Sequence, residues 1–157
     1  MKERTTMDLS VREAQASDIP AAAALFDLYR QFYEQPSDLT LAEDFIAQRL
    51  ASGDSVILVA EGAAGLLGFC QLYPSYCSVE AQPIYTLYDL FVMPELRKAG
   101  VGRMLLLAAE AHAARHGKAR MDLTTAKTNF TAQRLYKSLG WVRDEVFLTY
   151  NRRVQPS

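Results

Sequence analysis

Apolar residues along the chain change their spacing several times, and each spacing predicts one kind of element. In residues 54–61 and 66–73 they run almost without interruption, which is typical of buried strands. The segment EGAAG between them, residues 61–65, predicts a turn that joins the two strands into a hairpin. In residues 101–109 apolar side chains recur at intervals of three and four, which predicts one face of a helix.

The same patterns along the whole chain predict six strands and four helices. The strands are expected at residues 8–14, 54–61, 66–73, 83–92, 119–125 and 145–150. The helices are expected at residues 20–33, 40–51, 100–116 and 129–140. Pro74 is expected to end its strand, with a polar loop leading to the next one. Hairpins combined with helical crossovers predict a mixed α/β (α+β) fold, with helices on the faces of a mixed sheet.

Length and composition narrow the class of protein. A chain of 157 residues is expected to form one domain over residues 1–157, with residues 1–7 disordered. Half of the residues are hydrophobic and 22% are charged, which argues against a disordered chain. A net charge of -1 gives no general attraction to nucleic acid or to membrane surfaces. No apolar run approaches a membrane span and the N-terminus does not resemble a secretory signal, so we expect a cytoplasmic protein.

The segment RKAGVG, residues 97–102, is the first candidate for chemistry. It places two cations and two glycines where a strand passes into a helix, although a helix N-terminus already carries partial positive charge. An anion bound there would explain both, because glycine lets the backbone approach a ligand and free N–H groups suit phosphate oxygens. The segment is neither a P-loop nor a dinucleotide fingerprint. The alternative is a glycine-bearing turn with solvated cations.

Two longer blocks of sequence resemble a known family. The first contains the segment RKAGVG, and the second lies near the C-terminus. Residues 87–106, LYDLFVMPELRKAGVGRMLL, resemble the acyl-CoA-binding segment of the GNAT superfamily of N-acetyltransferases, with its pattern (Arg or Gln)-x-x-Gly-x-(Gly or Ala). Residues 129–141, NFTAQRLYKSLGW, resemble a second block of that superfamily, Asn-x-x-Ala-x-x-Leu-Tyr-x-x-x-Gly-(Phe or Trp). The resemblance covers nearly the whole chain. It implies a mostly antiparallel sheet of six to seven strands, splayed between strands 4 and 5 and flanked by about four helices.

The resemblance also implies that acetyl-CoA is the co-substrate and that its pyrophosphate is the expected anion. The backbone of one strand would hold the pantetheine arm, and a bulge in that strand would free an N–H group for the thioester carbonyl oxygen. The N–H groups of residues 98–103 would hold the pyrophosphate, with Arg97 and Arg103 supplying charge. The cofactor-binding residues implied in this way are Leu90, Phe91, Val92, Arg97, Lys98, Ala99, Gly100, Val101, Gly102, Arg103 and Asn129.

Tyr136 lies inside the second block, where the resemblance implies a general acid that protonates the departing thiolate. The alternative is a core tyrosine, because Ala132, Leu135 and Leu139 form an apolar face beside it. Asn129 has an alternative of its own as a simple helix cap.

The acceptor side is less defined. The first two helices and the loop at 74–83 are expected to build the acceptor pocket, and this region and the neighbouring strand offer aromatic rings and carboxylates that suit a cationic amine. The candidates are Tyr29, Tyr33, Glu34, Tyr88 and Asp89. In the polyamine branch, which the chain also resembles, a Glu before the strand Asp serves as base, but Tyr88 occupies that position here. Asp89 is expected on the opposite face of the strand from Tyr88, as a structural carboxylate more often than a base. Water relaying to a nearby carboxylate would substitute.

These features predict direct acetyl transfer to a primary amine in a ternary complex, with a small-molecule acceptor such as a polyamine or an amino acid. Two alternatives remain at this point: a non-catalytic acyl-CoA-binding regulatory module, and a protein N-terminal or lysine acetyltransferase. The resemblance also admits a possible homodimer. His112 and His116 have zinc-compatible spacing, but no third ligand follows, and no metal is expected.

Overall fold

The computed structural model of the chain describes residues 8–157, so the expectation for residues 1–7 lies outside it. The chain divides into two compact units, with the boundary between Thr124 and Thr125. The single domain expected over residues 1–157 stays a prediction.

The first unit contains most of the secondary structure. Its elements are β1 (Ser10–Glu13), a 3-10 turn (Ala16–Asp18), α1 (Ile19–Phe32), α2 (Leu39–Ser52), β2 (Val56–Gly62), β3 (Gly65–Cys77), β4 (Gln82–Val92), a 3-10 segment (Pro94–Ala99), α3 (Val101–Arg115) and β5 (Met121–Asp122). The second unit contains α4 (Phe130–Ser138). The four helices match the predicted ones to within one or two residues at each end.

The strands form one sheet in the order β1-β2-β3-β4-β5. The first three pairings are antiparallel and the pairing of β4 with β5 is parallel. The mixed, mostly antiparallel sheet is therefore confirmed. The strand count is five in the described part of the chain, against the six to seven expected.

The expectation that Pro74 ends its strand is wrong. β3 continues to Cys77, and Pro74 lies opposite Tyr85 of β4. The pairing of β2 with β3 reaches only Leu72, so Pro74 lies where β3 has a neighbour on one side alone. A missing N–H costs no ladder hydrogen bond on an open side. Much of the expected loop over residues 74–83 is thus the distal arm of a long hairpin.

The predicted last strand, residues 145–150, is also wrong, and the strand expected over residues 119–125 shortens to β5. The Asp144 carboxylate accepts the N–H groups of Val146 at 2.7 Å and Phe147 at 3.1 Å. A local side-chain turn of this kind takes donors that a strand would give to its ladder. The apolar pattern in this segment therefore does not produce a strand.

The two faces of the sheet carry different helices. α1 and α2 cover one face, where Phe69 of β3 and Phe91 of β4 enter the main apolar cluster. α3 covers the other face, where Val101 and Leu105 are fully buried. Side chains two apart on a strand share a face, so Asp89 faces α1 and α2 together with Phe91.

A buried carboxylate ties α1 to α2. Asp27 is 3% exposed, and it accepts hydrogen bonds from the Ser37 hydroxyl at 2.7 Å, the Asp38 N–H at 2.7 Å and the Gln31 amide at 3.0 Å. The bonds from Ser37 and then from Asp38 hold the pKa of Asp27 below its ordinary value. The segment that leaves α1 is therefore fixed against the start of α2.

We expect Asp27→Ala to lower the free energy of unfolding at pH 7 by roughly 2–3 kcal/mol, because it leaves buried donors without an acceptor. Ser37→Ala, which removes one of these bonds, should cost about 1 kcal/mol. Urea titration at pH 7 measures both. The lowered pKa means that the contribution of Asp27 is present above 3.8 and is lost as the pH falls below that value. Equal stability of Asp27→Ala and wild type at pH 7 would contradict this role.

Candidate active site

The turn between β4 and α3 presents backbone N–H groups at the open end of a helix. Gly100 has φ 83°, a left-handed conformation that glycine adopts at little cost. No side chain of the described residues caps α3. The first helical hydrogen bond joins the Met104 N–H to the Gly100 carbonyl at 3.1 Å. The N–H groups of Val101, Gly102 and Arg103 precede that bond, an arrangement that favours an anion.

Arg97 points toward β4. Its Nε donates to the Val92 carbonyl at 3.0 Å, and its guanidinium lies 5.4 Å from the Phe91 ring centre and 5.8 Å from that of Phe32. These contacts fix the end of β4, and phosphate binding by this side chain stays a prediction. The guanidinium also borders a groove of about 350 Å³, lined by Leu28, Gln31, Phe32, Phe91, Pro94 and Arg97.

The sheet opens along β4. The ladder between β4 and β5 has only two residue pairs, Tyr85 with Met121 and Thr86 with Asp122. Beyond Thr86 the two strands are no longer paired, which is the splay expected between strands 4 and 5. Leu90, Phe91 and Val92 therefore lie along the open stretch of β4.

β4 also carries a β-bulge where this opening begins. Gln71 of β3 pairs with Asp89 and Leu72 pairs with Leu87, which leaves Tyr88 as the extra residue. The Tyr29 hydroxyl on α1 donates to the Tyr88 carbonyl at 3.2 Å. A bulge disrupts the local ladder, so the backbone of Tyr88 has no place in the regular pairing of β3 with β4.

Asp89 is a buried carboxylate next to the bulge. It is 4% exposed, whereas Tyr88 is 66% exposed. Because the bulge interrupts the alternation of side chains here, the expected placement of the two residues on opposite faces stays a prediction. Burial raises the pKa of Asp89 above its ordinary value, while the hydrogen bond from Gln71 and the nearby Tyr29 hydroxyl act against that rise. The Gln71 amide donates to Asp89 Oδ2 at 2.8 Å.

Tyrosine rings surround this carboxylate. The rings of Tyr29 on α1 and of Tyr33, which directly follows α1, meet edge to face with centres 5.1 Å apart. The rings of Tyr73 and Tyr88 meet in the same way at 5.7 Å. Burial first and the Asp89 charge second raise the pKa values of Tyr29, Tyr33 and Tyr73, the last to about 12. These phenols stay protonated at neutral pH and can donate hydrogen bonds.

The other predicted site residues lie elsewhere. Glu34 follows α1 with φ 64° and is exposed to solvent. In the second unit, the Asn129 side chain caps α4 by accepting the Ala132 N–H at 3.2 Å. The ring of Tyr136 on α4 lies 6.0 Å from that of Trp141. The cap explains Asn129 locally, and the cofactor contact of Asn129 and the acid role of Tyr136 stay predictions.

The two histidines of α3 contact one another. The rings of His112 and His116 stack with centres 4.0 Å apart, and His116 Nδ1 lies 2.8 Å from the His112 carbonyl. Within residues 8–157 no three His, Cys, Asp or Glu side chains are grouped so as to hold a metal ion. In the same range, no helix combines the length and apolar character needed to cross a bilayer.

The open end of α3, the opened edge of β4 and its bulge fit a ligand with a pyrophosphate and an extended, amide-bearing arm, as coenzyme A has. The sequence profile of the acetyltransferase (GNAT) family matches residues 22–141, which is most of the chain. The chain belongs to the GNAT family. This GNAT protein is an acetyl-CoA-dependent N-acetyltransferase, so the family and the cofactor inferred from the two sequence blocks are confirmed.

Relatives of this GNAT enzyme match most of its length. The uncharacterized N-acetyltransferase YhfO of Bacillus subtilis (strain 168) is 44% identical over 142 residues, 90% of this chain and 95% of that protein. The crystal structure of a probable acetyltransferase superposes with a TM-score of 0.86 and 33% identity, covering 94% of this chain and 99% of that one. An aminoglycoside N(6')-acetyltransferase type 1 of Salmonella typhimurium (strain LT2) is 29% identical, covering 75% of this chain and 82% of that protein.

Sequence reasoning missed two polar residues behind Asp89 in this GNAT enzyme. Gln71 is completely buried in β3, and Ser55 immediately precedes β2. Their hydrogen bond, from the Ser55 hydroxyl to Gln71 Oε1, is 2.8 Å long. A signal was present, because Gln71 is the one polar side chain in the predicted strand 66–73 apart from the terminal tyrosine. A polar side chain inside such a run needs a buried partner.

Proposed function

We propose that this enzyme acetylates a small primary amine that is cationic in solution, by direct attack in a ternary complex. The observation that carries the proposal is the buried Asp89 carboxylate, placed among tyrosine rings beside the bulge of β4. A carboxylate attracts an ammonium group, and tyrosine rings add cation–π attraction. Tyr29, Tyr33, Tyr88 and Asp89 would receive the amine, with Glu34 at the exposed end of α1.

The proposed cofactor half of the site is mainly backbone. The N–H groups of residues 98–103 would hold the pyrophosphate, with charge from Arg97 and Arg103, and Asn129 would add a contact. The backbone of Leu90, Phe91 and Val92 would hydrogen-bond the pantetheine arm along the open edge of β4. When bound, acetyl-CoA supplies a thioester carbonyl that the amine attacks and a thiolate that leaves.

Three proton transfers accompany the reaction of a cationic amine. One proton leaves the ammonium before attack, and we assign Asp89 as its acceptor through an intervening water, because Asp89 is nearly closed to solvent. The raised pKa of Asp89 brings this carboxylate closer to the range in which a general base is effective. A second proton passes from the Tyr136 hydroxyl to the departing sulfur. The third leaves the nitrogen after the C–N bond has formed and restores the Tyr136 hydroxyl. A backbone N–H freed by the bulge would donate to the carbonyl oxygen as it gains charge.

Turnover tests the proposal directly. The purified protein is mixed with acetyl-CoA and a panel of acceptors (polyamines, amino acids, aminoglycosides and N-terminal or lysine peptides), while thiol release is followed and products are identified by mass. The aminoglycoside relative supports including multiply charged amines. We expect release with a small amine. Release with peptides alone would replace the small-molecule acceptor by a protein acceptor, and thermal stabilisation by acetyl-CoA without any release would contradict catalysis on all of these classes.

Tyr136→Phe removes the proposed acid and keeps the ring. We expect kcat to fall by about 10²-fold, while the Kd for acetyl-CoA stays unchanged, because the hydroxyl acts only when the thiolate leaves. Single-turnover kinetics and calorimetric titration measure the two quantities. Tyr76→Phe, at a 76% exposed position on the β3–β4 hairpin, is the matched control. An unchanged kcat in Tyr136→Phe would remove the acid role.

The cytoplasmic location and the homodimer are also proposals. Cell fractionation tests the first, and sedimentation of the purified protein at several concentrations tests the second.

A further inference from the structure

Three side chains form a hydrogen-bonded chain that ends on Asp89. The Ser55 hydroxyl donates to Gln71 Oε1 at 2.8 Å, and Gln71 Nε2 donates to Asp89 Oδ2 at 2.8 Å. Ser55 is half-buried, Gln71 is fully buried and Asp89 is 4% exposed. The hydrogen-bonded series therefore runs from the loop before β2, through β3, to the centre of β4.

The direction of these bonds favours one protonation state of Asp89. A carboxylate accepts hydrogen bonds, so an amide N–H aimed at it stabilises the charged form. Donation from the Ser55 hydroxyl polarises the Gln71 amide and strengthens the bond that the amide makes at its other end. Burial alone would disfavour the charge on Asp89, and these two hydrogen bonds oppose that effect.

We propose that Ser55 and Gln71 are positioning residues that keep the Asp89 carboxylate ionised and oriented to accept the proton of the amine. This inference rests on the proposed role of Asp89. Neither residue touches the acceptor: Ser55 acts through Gln71, and Gln71 acts through Asp89.

The titratable groups nearest Asp89 are phenols and a thiol. The charge of Asp89 acts on Tyr29, Tyr33, Cys70 and Tyr73, and the ring of Tyr88 lies against that of Tyr73. Burial raises the pKa of the Cys70 thiol to about 12, and it also raises the pKa values of the Tyr29, Tyr33 and Tyr73 phenols. Arg49 and Asp54, which pair at 3.4 Å, act on Tyr73 from the end of α2. An acidic limb in the pH profile of kcat/KM that is present in the wild type and absent from Asp89→Asn would therefore report Asp89.

Two variants test the hydrogen bonds that lead from Ser55 through Gln71 to Asp89. Gln71→Met has nearly the same size and lacks the donor, and we expect it to move the acidic limb of kcat/KM to higher pH by about one pH unit. Ser55→Ala should move the limb in the same direction by less, and Ser55→Thr, which keeps the hydroxyl, should restore it. The same amine is used throughout, so its own titration contributes equally to every profile. Carbon-13 NMR titration of the Asp89 carboxyl gives the same comparison without turnover.

The outcomes separate the two levels of the proposal. One outcome would overturn the positioning role alone. In it, Asp89→Asn loses activity, but Gln71→Met and Ser55→Ala leave the acidic limb of kcat/KM and the titration of the Asp89 carboxyl unchanged. Asp89→Asn with wild-type kcat/KM and pH profile would overturn the proposed role of Asp89 and this inference with it. Should Gln71→Met fail to fold, Ser55→Ala decides, because a merely structural hydroxyl would change stability and leave the limb in place.

Discussion

Asp89→Asn is expected to lower kcat/KM for the amine by about 10²- to 10⁴-fold. The substitution keeps the shape of the side chain and an oxygen that can accept from Gln71, so the surroundings of residue 89 change little. It removes the proton acceptor and the charge that attracts the ammonium group. Steady-state kinetics across pH 5–9 measures the loss, and Asp44→Asn, at an exposed position of α2, is the matched control.

The same variant should not lose stability. A carboxyl whose pKa is raised on folding contributes stability that is fully present below its unfolded value of 3.8 and is lost as the pH rises through the folded value. At neutral pH the charged Asp89 therefore lowers the stability of the wild type, and Asn removes that cost. We expect an equal or higher Tm for Asp89→Asn. A parallel loss of Tm and activity would identify Asp89 as a structural residue instead.

Gly68→Ala is expected to damage both the fold and the cofactor site. A Cβ at this position would lie 2.7 Å from the Phe91 carbonyl oxygen and 3.3 Å from Val92 Cα. Both are backbone atoms, so β3 and β4 must separate at the strand that would hold the pantetheine arm. We expect a loss of about 1–3 kcal/mol in the free energy of unfolding, and at least about tenfold weaker acetyl-CoA binding.

Gly62→Ala is the matched control for this substitution. Its Cβ would also meet an atom closely, at 2.9 Å, but that atom is the Leu67 Cδ1 at the end of a flexible side chain. Thermal unfolding with and without acetyl-CoA separates the two effects, since a ligand at 100 times its Kd adds about 2.7 kcal/mol. An acetyl-CoA stabilisation in Gly68→Ala equal to that of the wild type would contradict the link between Gly68 and the cofactor.

Local patterns predicted the helices and the β2–β3 hairpin well, because caps, glycine turns and spacing act over a few residues. The two sequence blocks that resemble the GNAT family extended the prediction to the cofactor and to the opening beside β4. Pro74 and residues 145–150 show where local patterns fail. Whether a proline is tolerated depends on which side of its strand has a neighbour, and whether an apolar segment becomes a strand depends on a partner elsewhere in the chain.

The candidate site was predictable to different depths on its two sides. The Gly100 and Gly102 motif carries its chemistry in consecutive residues, so the sequence displays it directly. The surroundings of Asp89 come from α1, β3 and the loop before β2, which meet only in the folded chain. The bulge at Tyr88 arises from the register of two strands, which no single segment encodes. Gln71 was the exception, since its polarity within an apolar run was visible in the sequence.

The two sides also differ in how they can change over evolutionary time. The N–H groups at the start of α3 and along the open edge of β4 belong to the main chain, and most substitutions leave them in place as long as Gly68 and Gly100 are kept. The acceptor candidates Tyr29, Tyr33 and Asp89 are side chains, each replaceable by a single codon change. A lineage built on this scaffold can therefore exchange one acceptor for another in small steps while retaining its acetyl donor throughout.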